Sequence, residues 1–158
     1  MKNKTLHILI TLIFLVLSQN LLSQTYLDSL KNSLNNKDIN ESEKVKLLNE
    51  IGYYYLESDT DYDNDSILRY SNLALDLSKK LKNSYNEALA LKNIGFAFYY
   101  QQAFDTSLHI FNLSLQIVDE YEDIKLRKDL YNVIGACYYY KGECNKTLEF
   151  WKKDFYVR

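Results

Sequence analysis

Three of the chain's four glycines sit in one repeated frame. The frames are Leu48-x-x-Ile51-Gly52-x-x-Tyr55, Leu91-x-x-Ile94-Gly95-x-x-Phe98 and Tyr131-x-x-Ile134-Gly135-x-x-Tyr138, at nearly even intervals along the chain. Apolar positions at i, i+3 and i+7 describe one face of a helix. A glycine inside a helix costs about 1 kcal/mol relative to alanine. Keeping it three times at one register therefore implies a compensating contact, a second helix crossing so close that a Cβ would not fit. Self-similarity at such a period marks a repeat array, in which each unit buries its apolar face on its neighbours.

A partner helix is legible after each frame. Ile67, Tyr70, Ala74 and Leu77 follow the first; Ser107, Ile110, Phe111, Ser114 and Ile117 follow the second; Thr147, Phe150, Trp151 and Phe155 follow the third. Their spacings of three and four again make a helical face. Polar segments separate the helices of each pair: Ser58 to Ser66, Gln101 to Asp105 and Lys141 to Asn145. Asp65, Asp105 and Glu143 fall near the first turn of each second helix, where an acid favours the helix dipole. The absence of proline leaves every helix unbroken.

The helix-turn-helix unit, three times over, resembles the tetratricopeptide repeat, whose pattern is W-x2-L-G-x2-Y followed by A-x3-F. The resemblance covers roughly residues 43–157. The first half of the pattern matches in all three units. In the second half, Ser107-x3-Phe111 and Thr147-x3-Trp151 fit, Ile67-x3-Ser71 fits poorly, and the usual terminal proline is missing. It implies an all-α solenoid with units of approximately 41–82, 83–122 and 123–158, in which Gly52, Gly95 and Gly135 are structural. The period exceeds the family's usual one, so a HEAT-like solenoid is the alternative fold; the Gly-x-x-aromatic signature favours the tetratricopeptide. Tyr26, Leu27, Leu30 and Leu34 give one amphipathic helix over 24–40, read as a cap on the first unit.

Residues 1–23 read as a separate object. Lys2 and Lys4 precede a run from Leu6 to Leu17 broken only by His7 and Thr11. The run is short for a bilayer, which needs about 20 residues. Its layout predicts a secretory signal peptide cleaved after Ser23, with Ser18 as the other candidate site and an uncleaved anchor as the alternative. No cysteine lies there for lipid attachment. Export to the periplasmic or extracellular side is the expected localisation. Removal takes away two lysines and no acid, leaving a charge of −4, which argues against nucleic acid as a partner.

No catalytic constellation is legible. His109 is the only histidine beyond residue 23, and there is no Gly-rich phosphate loop, H-E-x-x-H or G-x-S-x-G. The acidic run Asp59 to Asp65 fails as an EF-hand, because neither register supplies Gly at position 6 and Glu at position 12. Cys137 and Cys144, seven apart, are no metal pattern and read as independent thiols, with a disulfide, which export permits, as the alternative. No enzyme, cofactor or metal is expected.

The resemblance implies instead that the first helices line a concave groove. Counting from the frames, that groove would carry Asn49, Lys92 and Asn132 at one position, Tyr53 and Phe96 at the next, and Tyr99 and Tyr139 at a third. Amides beside rings suit an extended or helical peptide. The family's carboxylate clamp would need Asn and basic residues where Tyr53, Asp129 and Val133 stand, so a chaperone-tail partner is not implied. Similar bacterial chains combine a signal peptide, a Leu-Asp-Ser-Leu helix (Leu27 to Leu30) and repeats containing Asp-Ser-x-Leu-x-Tyr (Asp65 to Tyr70). In them the repeats often form the sensor half of a histidine kinase or a transcriptional regulator. The expected function is therefore an exported interaction scaffold, with the sensor portion of a larger signalling protein as the alternative. Leu148, Phe150, Trp151, Phe155, Tyr156 and Val157 further suggest an apolar end, read as a piece of a longer array or a self-association surface.

Overall fold

A computed structural model describes residues 25–58, 63–120 and 123–156. The expected signal peptide lies outside the described residues, as does most of the acidic run after Ser58. Among the described residues the chain is all-helical. It divides into two compact units, residues 1–39 and 40–158. In the first, residues 25–34 form helix α1, with Leu27 and Leu30 buried and the intervening Asp28 and Ser29 exposed. The described residues of the second form six helices: α2 (Glu41–Glu57), α3 (Asn64–Leu81), α4 (Ser84–Tyr100), α5 (Phe104–Asp119), α6 (Ile124–Tyr140) and α7 (Cys144–Tyr156).

Each first helix of a pair starts on the same device. The side-chain oxygens of Asn40, Asn83 and Asp123 accept the backbone N–H of Glu43, Asn86 and Leu126 at 2.8, 3.1 and 2.8 Å. This N-cap satisfies one of the four donors a helix start leaves open. All three caps stand at one fixed offset ahead of the corresponding glycine. The ends are also shared. The turns 101–103 and 141–143 carry Gln102 at φ 60° and Gly142 at φ 76°. Ala103 N–H bonds Phe98 O at 3.0 Å, and Glu143 N–H bonds Tyr138 O at 2.9 Å, closing the helix in a Schellman turn. The corresponding connection after α2, over 58–63, is longer, which accounts for the wider interval between the first two glycines.

The glycines do what their register implied. A Cβ built on Gly95 would stand 2.5 Å from Phe111 Cε1, one on Gly135 2.5 Å from Trp151 Cδ1, and one on Gly52 2.6 Å from Ser71 Oγ. Phe111, Trp151 and Ser71 hold the matching position on the three second helices, so even the unit with the poor motif match keeps the crossing. One turn earlier, Ile67, Ser107 and Thr147 are all buried. Hydroxyls fasten the second pair: Ser107 Oγ donates to Gly95 O at 2.9 Å, and Ser114 Oγ to Ala88 O at 2.8 Å.

Consecutive helices pack on one another throughout α2–α7, and α2 also meets α4. The largest core joins α4, α5 and α6 through Ala88, Leu108, Phe111, Leu115, Val118, Leu126, Leu130, Ile134 and Cys137.

The cost of a side chain at each glycine should follow the freedom of its neighbour. Phe111 is fully buried and cannot move aside, the Ser71 hydroxyl can rotate, and Trp151 is 40% exposed. Overpacking of a fixed neighbour costs about 1–3 kcal/mol, against which alanine regains about 1 kcal/mol of helix propensity. Thermal denaturation should rank Gly95→Ala as the most damaging of the three alanine substitutions, and Gly95→Leu as worse still. A melting temperature for Gly95→Leu equal to that of wild type would contradict the crossing.

Candidate functional site

The first helices α2, α4 and α6 enclose a groove of about 660 Å³. Lys46, Asn49, Glu50 and Tyr53 come from α2; Tyr85, Asn86, Leu89, Lys92 and Asn93 from α4; Lys125, Leu126 and Asp129 from α6, with its cap Asp123.

The floor is amide. Asn49 Nδ2 donates to Asn86 O at 3.0 Å and reaches Asn86 Oδ1 at 3.3 Å, while Asn93 Nδ2 donates to Asn49 O at 3.1 Å. All three asparagines are buried, so these bonds join α2 to α4 beneath the groove. A buried amide is tolerated where its donors find acceptors. The Asn49 Oδ1 atom, also buried, has no partner of its own.

The walls are aromatic and aliphatic. Tyr53 and Tyr85 are exposed, and Leu89 is half-buried. Between them lies Lys92, whose side chain retains only 11% exposure. Its ammonium stands 3.5 Å from Asp129 Oδ2 and 5.8 Å from the centre of the Tyr53 ring. That carboxylate contact is long, and at such a distance a bridging water or ligand atom can compete. The Tyr53 hydroxyl bonds the Glu57 carboxylate one turn along α2. Burial, that bond, and the charges of Glu57 and Asp129 together push its pKa up to about 12. Tyr53 thus stays a neutral phenol at physiological pH, able to pack and to hydrogen-bond but not to take up protons. Three lysines and three acids line the groove, which carries no net charge.

Of the seven residues expected in the groove, the structure brings together Asn49, Tyr53 and Lys92. Asn49 does so as floor, with its donor already engaged. The other four do not line it. Phe96 packs edge-on against Phe111 at 5.3 Å, inside its own helix pair. Tyr99 meets Phe104 at 5.8 Å and Tyr140 at 5.9 Å, across the two adjoining turns. Asn132 is exposed on α6, and its carbonyl accepts a bond from Trp151 Nε1 at 3.2 Å. Tyr139 stacks on Trp151 at 6.2 Å. Counting equal positions along each helix presumes that the helices stand level. Lys92 on α4 instead meets Asp129 on α6, one turn earlier in register, so the lining drifts toward the helix N-termini from α2 to α6. That drift brings in Tyr85, Leu89 and Asp129, which counting does not find.

The remaining reactive groups stand apart from the groove. His109 is exposed on α5. Cys137 is buried, with its sulfur 3.6 Å from Ser107 Oγ, and burial raises its pKa; Cys144 is exposed and the two are unbridged.

No protein-family model matches the chain, and no curated protein matches its sequence.

The raised Tyr53 pKa has a sign. The fold favours the protonated phenol, so its contribution to stability is complete below the ordinary value of 10.0 and is lost as pH rises toward about 12. In an ultraviolet phenolate titration, Tyr53→Phe should remove amplitude from the late end. Glu57→Gln should lower the Tyr53 transition only in part, because burial is the larger cause. Loss of amplitude near pH 10.0 instead would show Tyr53 to be fully solvated.

Proposed function

We propose that this chain is an exported protein-interaction scaffold of the tetratricopeptide-repeat kind, and that the groove across α2, α4 and α6 holds an extended segment of another protein. The observation that carries the reading is the groove itself: about 660 Å³, open along one side, with a rigid amide floor and walls of Tyr53, Tyr85 and Leu89. Tyrosine walls suit peptide recognition because a ring buries much area with few torsions to freeze, while its hydroxyl stays wet. The neutral mix of lysines and acids favours a partner carrying both signs over a polyanion such as nucleic acid. The tetratricopeptide reading, rather than a HEAT-like one, rests on the glycine crossing with an aromatic three residues on, which recurs in all three units along with the Asx cap. A role in binding asks nothing of the chain in proton transfer or nucleophilic attack, and the groove's one strongly perturbed phenol is held neutral.

Peptide display against the purified chain, followed by calorimetry on the selected sequences, tests this. Replacing Tyr53 or Leu89 with alanine should weaken binding about tenfold or more, the cost of losing a central anchor. Tyr139→Ala, outside the groove, should leave it unchanged. Binding that ignores Tyr53 and Leu89 would exclude the groove as the site.

Export is part of the proposal, resting on the Lys2/Lys4 and Leu6–Leu17 pattern. Mass analysis of protein recovered from its native host should give an N-terminus near Gln24. Intact Met1 in the membrane fraction would replace the signal peptide with an anchor.

A further inference from the structure

The groove holds a donor and an acceptor that leave each other unfilled. The Lys92 ammonium has three protons to donate. Among the described residues its one acceptor is Asp129 Oδ2, at 3.5 Å. Asp129 receives no other donor there, although a carboxylate can accept about four bonds. Lys92 is also recessed: its side chain is 11% exposed, while Tyr53 and Tyr85 in the same groove are 40% and 46% exposed. A charge withdrawn from water needs more than one long bond in place of its hydration. The Tyr53 ring adds only a cation–π contact at 5.8 Å, near the outer limit of that attraction.

We infer that this pair selects a carboxamide: the segment held in the groove inserts an Asn or Gln side chain whose oxygen accepts from Lys92 and whose NH2 donates to Asp129. Carboxamide selection rests on the groove being the binding site, and it names what that site prefers. The oxygen and nitrogen of a carboxamide stand about 2.2 Å apart, by the amide bond lengths. Two near-parallel hydrogen bonds can therefore reach it from atoms 3.5 Å apart, with no need to part them further. Charge selects the same group. An incoming carboxylate would face Asp129 and an incoming ammonium would face Lys92, whereas a carboxamide brings no charge to a pair that is already neutral. Depth favours a side chain over backbone. An extended backbone resting on exposed rings stays above a side chain as withdrawn as Lys92, and the hydroxyls of Ser and Thr reach less far than a carboxamide.

Peptide display against the full chain, with calorimetry on the selected peptides and their substituted forms, tests this. The peptides should share an Asn or Gln at one position. Changing that residue to its acid, or to Leu, should weaken binding about tenfold or more, because the pair is then opposed or left unpaired. Variants of the chain should redirect the preference. Asp129→Asn removes the opposing acid, so the acidic form of each peptide should become the tighter one. Lys92→Met keeps the stem and removes the charge, so Lys at that peptide position should overtake the carboxamide. An acid, a base or a hydroxyl residue shared at that position, or affinity indifferent to its change, would overturn carboxamide selection. If Tyr53→Ala and Leu89→Ala still weaken those peptides, the groove itself stands. Peptides indifferent to Tyr53 and Leu89, or no binding peptide at all, would overturn the groove and carboxamide selection together.

Discussion

The unit of this structure is a helix crossing with no room for a Cβ. At Gly95 the backbone of α4 comes so near α5 that the Phe111 ring lies where a methyl group would stand. Close approach lets Ser107 and Ser114 reach carbonyls on the facing helix, turning a packing contact into a hydrogen-bonded one. Phe111 also belongs to the core that joins α4, α5 and α6, so the ring at the crossing is part of the surface on which α6 packs.

That same geometry makes the groove. With α3 and α5 each packed against the first helices before and after them, the first helices are left with a free flank. The buried Asn49–Asn86–Asn93 amides hold α2 against α4 at that flank, and Lys92 spans to Asp129 on α6. Of the lining, Lys46, Glu50, Tyr53, Tyr85, Lys125 and Asp129 are exposed to a partner and Leu89 is half so. An amide floor is more demanding than an apolar one, since every donor must be aimed, and it gives the groove a fixed shape rather than a yielding one.

Much of this is legible in the sequence. The glycine frames name the crossing, and the periodic residues after them name the helices that cross. The second helix of the first unit, the weakest match, is recovered because Ile67 and Ser71 keep the spacing even where they lose the residue types. The Asx caps are a signal that the glycine frames overshadow, although Asn40, Asn83 and Asp123 recur at one offset ahead of each glycine. The groove is legible only in part. Which turn of one helix faces which turn of the next depends on tilt and stagger, set by side-chain volumes across the interface, and a linear pattern does not encode these. Counting places Phe96 and Tyr99 in the groove, while in the fold the ring of Phe96 is captured by Phe111 and that of Tyr99 by Phe104 and Tyr140.

The most direct measurement of the central claim is a double-mutant cycle across the crossing, by denaturant unfolding of Gly95→Ala, Phe111→Leu and the pair. If the α4–α5 approach is limited by the Phe111 ring, removing the ring edge should relieve the added methyl. The pair should then cost less than the sum of the singles by about 0.5–3 kcal/mol, the range for residues in contact. Additive costs would mean that Gly95 and Phe111 do not compete for the same space, and the account of the stack built on that contact would fail.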